Sequence, residues 1–150
     1  MKPDATPIGL QLAHTSKTVS RAFSDALGEA GGSVPMWLIL TSLMAESWPA
    51  QHRLAHALRI EGPTLTRHLD GLEQAGLVTR RRTPDNRRAV HVELTDAGRK
   101  KHAELLLAVI AFNRLLRKGF SETEIDELRA LLARLEENVS AADSRLAESR

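Results

Sequence analysis

A mainly α-helical fold with one small β-hairpin is what this sequence predicts, and three observations predict it. Apolar residues recur at helical spacing over most of the chain. One stretch, from about Leu77 to Leu94, changes to a two-residue period. Helix start and stop signals fall where the periodic segments begin and end. With 150 residues, 42% apolar and 27% charged, the chain is long enough and apolar enough to bury a real core.

The elements follow in order. Ile8, Leu12, Val19, Phe23 and Leu27 mark a helix to about Ala30, which Gly31 and Gly32 end. Ser33 and Pro35 open a second helix with Trp37, Leu38, Leu40, Leu43 and Met44, which stops around Ser47-Trp48-Pro49. A short helix from Gln51 to Leu58 turns Leu54, Ala55 and Leu58 inward. After a turn at Arg59 to Gly62, Pro63 starts another helix to about Ala75, with Leu65, Leu69 and Leu72 on one face and Gly76 as its αL stop. Two short helices joined by a tight turn are the skeleton of a helix-turn-helix.

Leu77 to Arg82 then reads as extended. From Ala89 to Leu94 the residues alternate, with Val90, Val92 and Leu94 on one face and His91 and Glu93 on the other. Thr83-Pro84-Asp85-Asn86 between them are turn formers, so the pair is a hairpin. A hairpin directly after a helix-turn-helix is a wing. Thr95 can cap a long helix to about Lys118, ended by Gly119. Ser121 with Glu124 then spells a capping box, and Phe120 with Ile125 a hydrophobic staple. The last helix bears Leu128, Leu132, Leu135, Val139, Ala142 and Leu146 at a period near 3.5, which suits packing along a partner helix in this chain or in a second one. A homodimer is favoured, because long helices flanking a small wing module otherwise leave apolar stripes in water.

Net charge is only +2, but its placement is uneven. Arg80, Arg81, Arg82, Arg87, Arg88, Arg99, Lys100 and Lys101 crowd one stretch, while the chain from Ser121 onward turns acidic. On its own such a cluster fits a solvated Arg-rich surface as well as a local contact with a polyanion. The surrounding elements favour double-stranded DNA. On the helix that Pro63 begins, Arg67 lies opposite the leucine face, where an arginine can reach guanine O6 and N7. Pro63, Thr64 and Thr66 stand at the helix start, where hydroxyls and free N–H groups suit phosphate oxygens, and His68 sits on the flank. On the wing, Arg87 and Arg88 at the tip suit a narrow minor groove. Arg80, Arg81 and Arg82 on the rising strand suit phosphates. Strand alternation keeps Arg80, Arg81 and Arg82 from all facing one side, so one of them supports the wing.

Other classes find less in the sequence. There is no cysteine, which removes disulfides, thiol catalysis and thiolate metal sites. No Gly-rich phosphate loop, HExxH or GxSxG motif suggests an enzyme, and no cofactor is expected. His52 and His56 have the i, i+4 spacing of a zinc pair, which keeps a metal-responsive regulator as an alternative; no metal site is assigned. An architectural DNA-binding protein without effector is another alternative. The first residues have no apolar signal core and no apolar run spans a bilayer, so no membrane contact and a cytoplasmic location are expected.

The stretch LAHALRIEGPTLTRHLDGLEQAGLVTRRRTPDNRRAVHVELTDAG, from Leu54 to Gly98, resembles the MarR family of transcription regulators. The family's wing pattern is Asp-x-Arg, five residues, Leu-Thr and a nearby Gly. Leu94-Thr95, Gly98 and Arg88 match it, whereas Asn86 holds the Asp position and Asp85 lies one place early. In the family that carboxylate braces a wing arginine, so either the brace is lost or Asp85 supplies it. The segment IEGPTLTRHLD is most similar to the SlyA-like branch. The resemblance implies a winged helix-turn-helix flanked by N- and C-terminal dimerisation helices: residues 1–34, 35–98 and 99–150 of one intertwined domain. It also implies a small aromatic carboxylate effector in a pocket involving Lys17, Trp37 and Arg67.

Overall fold

The structure is a computed structural model that describes residues 6–46, 48, 50–83 and 86–148, without the side chains of 83, 86–89 and 142–148. Among the described residues there are six helices and one two-stranded antiparallel sheet, in the order α1 (Ile8–Glu29), α2 (Val34–Ala45), α3 (Gln51–Leu58), α4 (Gly62–Gln74), β1 (Val78–Thr83), β2 (Asn86–Leu94), α5 (Asp96–Leu116) and α6 (Glu122–Glu148). The mainly helical fold with a single hairpin is the one the sequence predicts. The chain forms two compact units, the first running to Phe112 and the second from Asn113.

The first unit is built on one apolar cluster. Leu27 of α1, Ile39 and Leu40 of α2, Leu54 of α3, Leu65 and Leu69 of α4 and Leu105 of α5 are fully buried in it. The leucine stripe on α4 faces this core, as its spacing requires. At the start of α2, Ser33 Oγ accepts the Met36 N–H at 3.3 Å, and Pro35 takes the second helical position rather than the first. The α3–α4 turn is closed by Arg59 in the left-handed region, with φ 52.

The hairpin is fastened at its base. Val78 pairs with Leu94 and Arg82 with Val90, with an irregularity between Arg82 and Thr83. Val78 and Val92 are buried on its inner face. Trp48, in the α2–α3 connection, adds an isolated antiparallel bridge to Val92 and donates its indole N–H to the Ser42 carbonyl at 3.1 Å. Thr95 ties the far end. Its hydroxyl donates to the Gly76 carbonyl at 2.6 Å and accepts the Gly98 N–H at 3.0 Å, while its own N–H reaches the Leu77 carbonyl at 3.1 Å. Gly98 is obligatory here, since a Cβ on it would lie 2.0 Å from the Leu77 carbonyl oxygen. Gly76, at φ +72, makes the left-handed turn that delivers the chain from α4 into β1.

In the second unit, the capping box at the start of α6 forms as its sequence spells it. Ser121 Oγ accepts the Glu124 N–H at 3.2 Å, and Glu124 accepts the Ser121 N–H at 2.7 Å. The Ser121 N–H and hydroxyl both donate to the Glu124 carboxylate, and this holds its pKa below the ordinary value. Ile125 is buried, whereas Phe120 remains 54% exposed.

Candidate nucleic-acid interface

The outer face of α4 is set by what its inner face buries. With Leu65, Leu69 and Leu72 in the core, Arg67 is left exposed, and it makes no hydrogen bond or ion pair among the described residues. Pro63 is exposed beside it at the helix start, Thr64 and His68 are half-buried on its flanks, and Thr66 is exposed.

Thr66 is already engaged. Its hydroxyl donates to the Gly62 carbonyl at 3.0 Å and accepts from the Gln51 side-chain amide at 2.6 Å. A hydroxyl has one proton, so in this state Thr66 can accept from a base but has nothing to donate to a phosphate. Gln51 is a residue that sequence reading missed. It stands at the first position of α3 and joins the two helices of the helix-turn-helix across fifteen residues of chain, a pairing that periodicity does not reveal. Gln51, His52, Ala55, Gly62, Thr66 and Val90 line an open cleft of about 290 Å³ between α3, the start of α4 and β2.

The rising strand divides its three arginines. Arg81 and Arg82 are exposed. Arg80 is bound to α4: Nη2 lies 2.5 Å from Asp70 Oδ1 and 2.7 Å from Glu73 Oε2, Nε donates to Glu73 Oε2 at 3.1 Å, and its backbone N–H donates to Glu73 Oε1 at 3.1 Å. The hydrogen bonds from Arg80 hold the Glu73 carboxyl below its usual range, and the same contacts raise the guanidinium pKa further. Arg80, expected among the phosphate contacts, is held by two carboxylates in the DNA-free chain. It is the strand arginine that supports the wing. Asp70 and Glu73, spaced i, i+3 on α4 and seven to ten residues ahead of Arg80, were the available signal.

Arg87 and Arg88 lie in β2, but their side chains fall outside the described ones, as does the Asn86 side chain. Asp85 lies outside the described residues, so either source of the brace on Arg88 stays open.

The three residues named for an effector do not share one setting. Lys17 is exposed on α1 and Arg67 on α4, and among the described residues neither forms an ion pair. Trp37 is half-buried against the core, and its ring lies nearly parallel to that of His102 on α5, with centroids 5.0 Å apart and an interplanar angle of 8°. His52 and His56 are exposed on α3, and no group of three His, Cys, Asp or Glu among the described residues is placed to hold a metal ion. No helix among the described residues is long and apolar enough to cross a membrane.

A buried-leucine helix-turn-helix followed by a fastened hairpin, with exposed arginines on the outer helix and strand, defines a winged helix-turn-helix protein. The sequence model of the MarR family matches residues 33–90. The transcriptional regulator PA3341 is 33% identical, with a TM-score of 0.72 over 89% of this chain and 98% of that one. The transcriptional repressor CouR, solved on a 23-mer DNA duplex, is 27% identical, with a TM-score of 0.79 over 87% of this chain and 92% of that one. CouR from Rhodococcus jostii RHA1, solved with p-coumaroyl-CoA, has a TM-score of 0.73 at 23% identity over 90% and 95% of the two chains, and shows the shared fold. The chain belongs to the MarR family of transcription regulators.

Proposed function

We propose that this regulator, read as a member of the SlyA-like branch, acts as a homodimer on a pseudo-palindromic operator and is released by a small aromatic carboxylate. Each α4 enters a major groove through Pro63, Thr64, Thr66, Arg67 and His68, and each hairpin reaches the adjacent minor groove with Arg87 and Arg88. Arg81 and Arg82 bind phosphates alongside. The half-sites lie about one turn apart, roughly 34 Å.

The observation that bears most of this reading is Arg67. It is exposed and unpaired among the described residues, on the face of α4 opposite the buried leucines. A free guanidinium on the second helix of such a motif has the fork geometry that guanine accepts. CouR solved on a DNA duplex supports duplex DNA as the partner. Dimerisation is supported by exposed apolar side chains within each unit: Ile8 and Leu12 on α1, and Leu128, Leu132 and Val139 on α6.

Fluorescence anisotropy against labelled duplex from the gene's own upstream region, with a scrambled duplex alongside at two salt concentrations, tests the reading. A preference of at least ~10³-fold for the native duplex supports a sequence-specific regulator. Equal and steeply salt-dependent binding to both, kept across duplexes tiled over the neighbouring promoters, makes the protein architectural instead. No binding at low salt overturns the DNA reading.

A further inference from the structure

One hydrogen bond in the helix-turn-helix does little for its stability, and so calls for another reason. Gln51 Nε2 donates to Thr66 Oγ1 at 2.6 Å across the two helices of the motif. Both helices are already fastened by buried side chains, Leu54 and Ala55 on α3 and Leu65 and Leu69 on α4. Thr66 is exposed and Gln51 half-buried, and a neutral hydrogen bond that competes with water adds little to such packing.

What the bond does fix is the direction of one proton. Thr66 Oγ1 has two neighbours, the Gly62 carbonyl at 3.0 Å and Gln51 at 2.6 Å. A carbonyl only accepts, so the single hydroxyl proton goes to Gly62. Gln51 must then supply the proton of the other bond, which places its Nε2 and not its Oε1 towards Thr66. One lone pair of Oγ1 is taken and one stays free. Thr64, two residues earlier, offers the comparison. Its hydroxyl makes no hydrogen bond among the described residues, so it can turn to donate or to accept.

We propose that Gln51 is a positioning residue for base readout: it holds the Thr66 hydroxyl as an acceptor only, so that α4 selects a base with an exocyclic amine in the major groove, adenine or cytosine. This rests on the reading of α4 as the major-groove helix and names one base class that it selects. The base edges divide on this ground. Adenine N6 and cytosine N4 bring a donor to the free lone pair, whereas guanine N7 and O6 and thymine O4 bring acceptors, which repel it. A phosphate oxygen is an acceptor too, so the phosphate contact at the start of α4 falls to Thr64 and not to Thr66. The pair lines the open cleft with Ala55, Gly62 and Val90, and it stays accessible there beside the exposed Arg67. Both partners stand on helices with buried anchors close by, so the hydroxyl is set before DNA arrives.

The experiment is selection by the full-length protein from a pool of duplexes with a randomised centre, read by sequencing as a base preference at each position. Gln51→Met keeps the length without the donor, Gln51→Asn keeps the amide but falls short of Thr66, and Thr66→Val keeps the shape without the hydroxyl. Wild type is expected to favour adenine or cytosine by about five-fold at one position per half-site, near the one that Arg67→Ala relaxes; five-fold is the factor for one neutral hydrogen bond. Each variant should bring that ratio to within about two-fold and leave the other positions as they were. Gln51→Met joined to Thr66→Val should do no more than Thr66→Val alone, as members of one unit do. If Gln51→Met does not fold, Gln51→Asn carries the same test. Weaker binding by the Gln51 variants with every preference unchanged overturns the inference, and makes Gln51 a phosphate contact or a brace. A preference for guanine or thymine at the position that Thr66→Val alters overturns it as well, because the hydroxyl then donates. A wild-type motif without any position sensitive to Gln51 defeats this inference and leaves the regulator standing. No motif at all removes the sequence-specific reading, and this inference with it.

Discussion

At the residue scale, the freedom of Arg67 follows from the leucines behind it. Burying Leu65, Leu69 and Leu72 forces the residue two places after Leu65 to the opposite face, and this was legible in the sequence. What a side chain does there depends on its neighbours in space, and those were not legible. Thr66 looks like Thr64 in the sequence, yet only the structure shows it taken up by Gly62 and Gln51. His102 gives no sign in the sequence that it will lie on Trp37. Arg67→Ala is expected to weaken operator binding by about 1–3 kcal/mol and to relax discrimination at one base position per half-site. Anisotropy against a panel of single-base operator variants checks both. Equal loss on every variant and on scrambled DNA makes Arg67 a phosphate contact instead.

At the scale of elements, periodicity gave the helices and the hairpin, and local signals gave their ends. The fastening of one element to another was partly readable. The Leu94-Thr95 and Gly98 pattern was recognised through resemblance, and its physical meaning is the triple hold of Thr95 on Gly76, Leu77 and Gly98. Gly98→Ala would drive a methyl group into the Leu77 carbonyl and is expected to cost about 1–3 kcal/mol or more, seen as a lower urea midpoint. An unchanged midpoint would show that β1 and α5 can separate without loss.

The Arg80 clamp was only partly readable: Asp70 and Glu73 on α4 were a signal, but alternation groups Arg80 with Arg82 and does not single it out. Its role separates cleanly from phosphate binding. Arg81→Ala or Arg82→Ala should each reduce the slope of log K against log[salt] by about 1. Arg80→Ala should lower specific affinity with the slope unchanged, and a reduced slope would return Arg80 to the DNA. The clamp also has a pH signature. Arg80 holds the Glu73 carboxyl below its ordinary value, so the pair stabilises the fold above the unfolded carboxylate range, near pH ~4.3, and that contribution is lost as pH falls through the lowered folded value. The Tm difference between wild type and Arg80→Ala should therefore be full at neutral pH and shrink in acid. A difference independent of pH would assign it to packing.

At the scale of the whole molecule, the sequence shows that apolar stripes exist but not what covers them. A period near 3.5 along Leu128, Leu132, Leu135 and Val139 suits a partner helix of either origin. Within the second unit, Leu128 is 45% exposed, Leu132 41% and Val139 64%, more apolar surface than one helix face needs in water. The joint substitution Leu128→Asp, Leu132→Asp discriminates. If the stripe is a dimer interface, two carboxylates meet their symmetry mates across an apolar seam, where burying unpaired charge costs more than the contact returns. Sedimentation at micromolar concentration should then show a dimer for wild type and a folded monomer for the variant. Operator affinity should fall much further than that for a single half-site, because joining two reading heads makes the second binding event intramolecular. A variant that stays dimeric would move the interface elsewhere. A wild-type monomer would remove the need for a palindrome, and the length of DNA protected from cleavage should then shrink to one half-site.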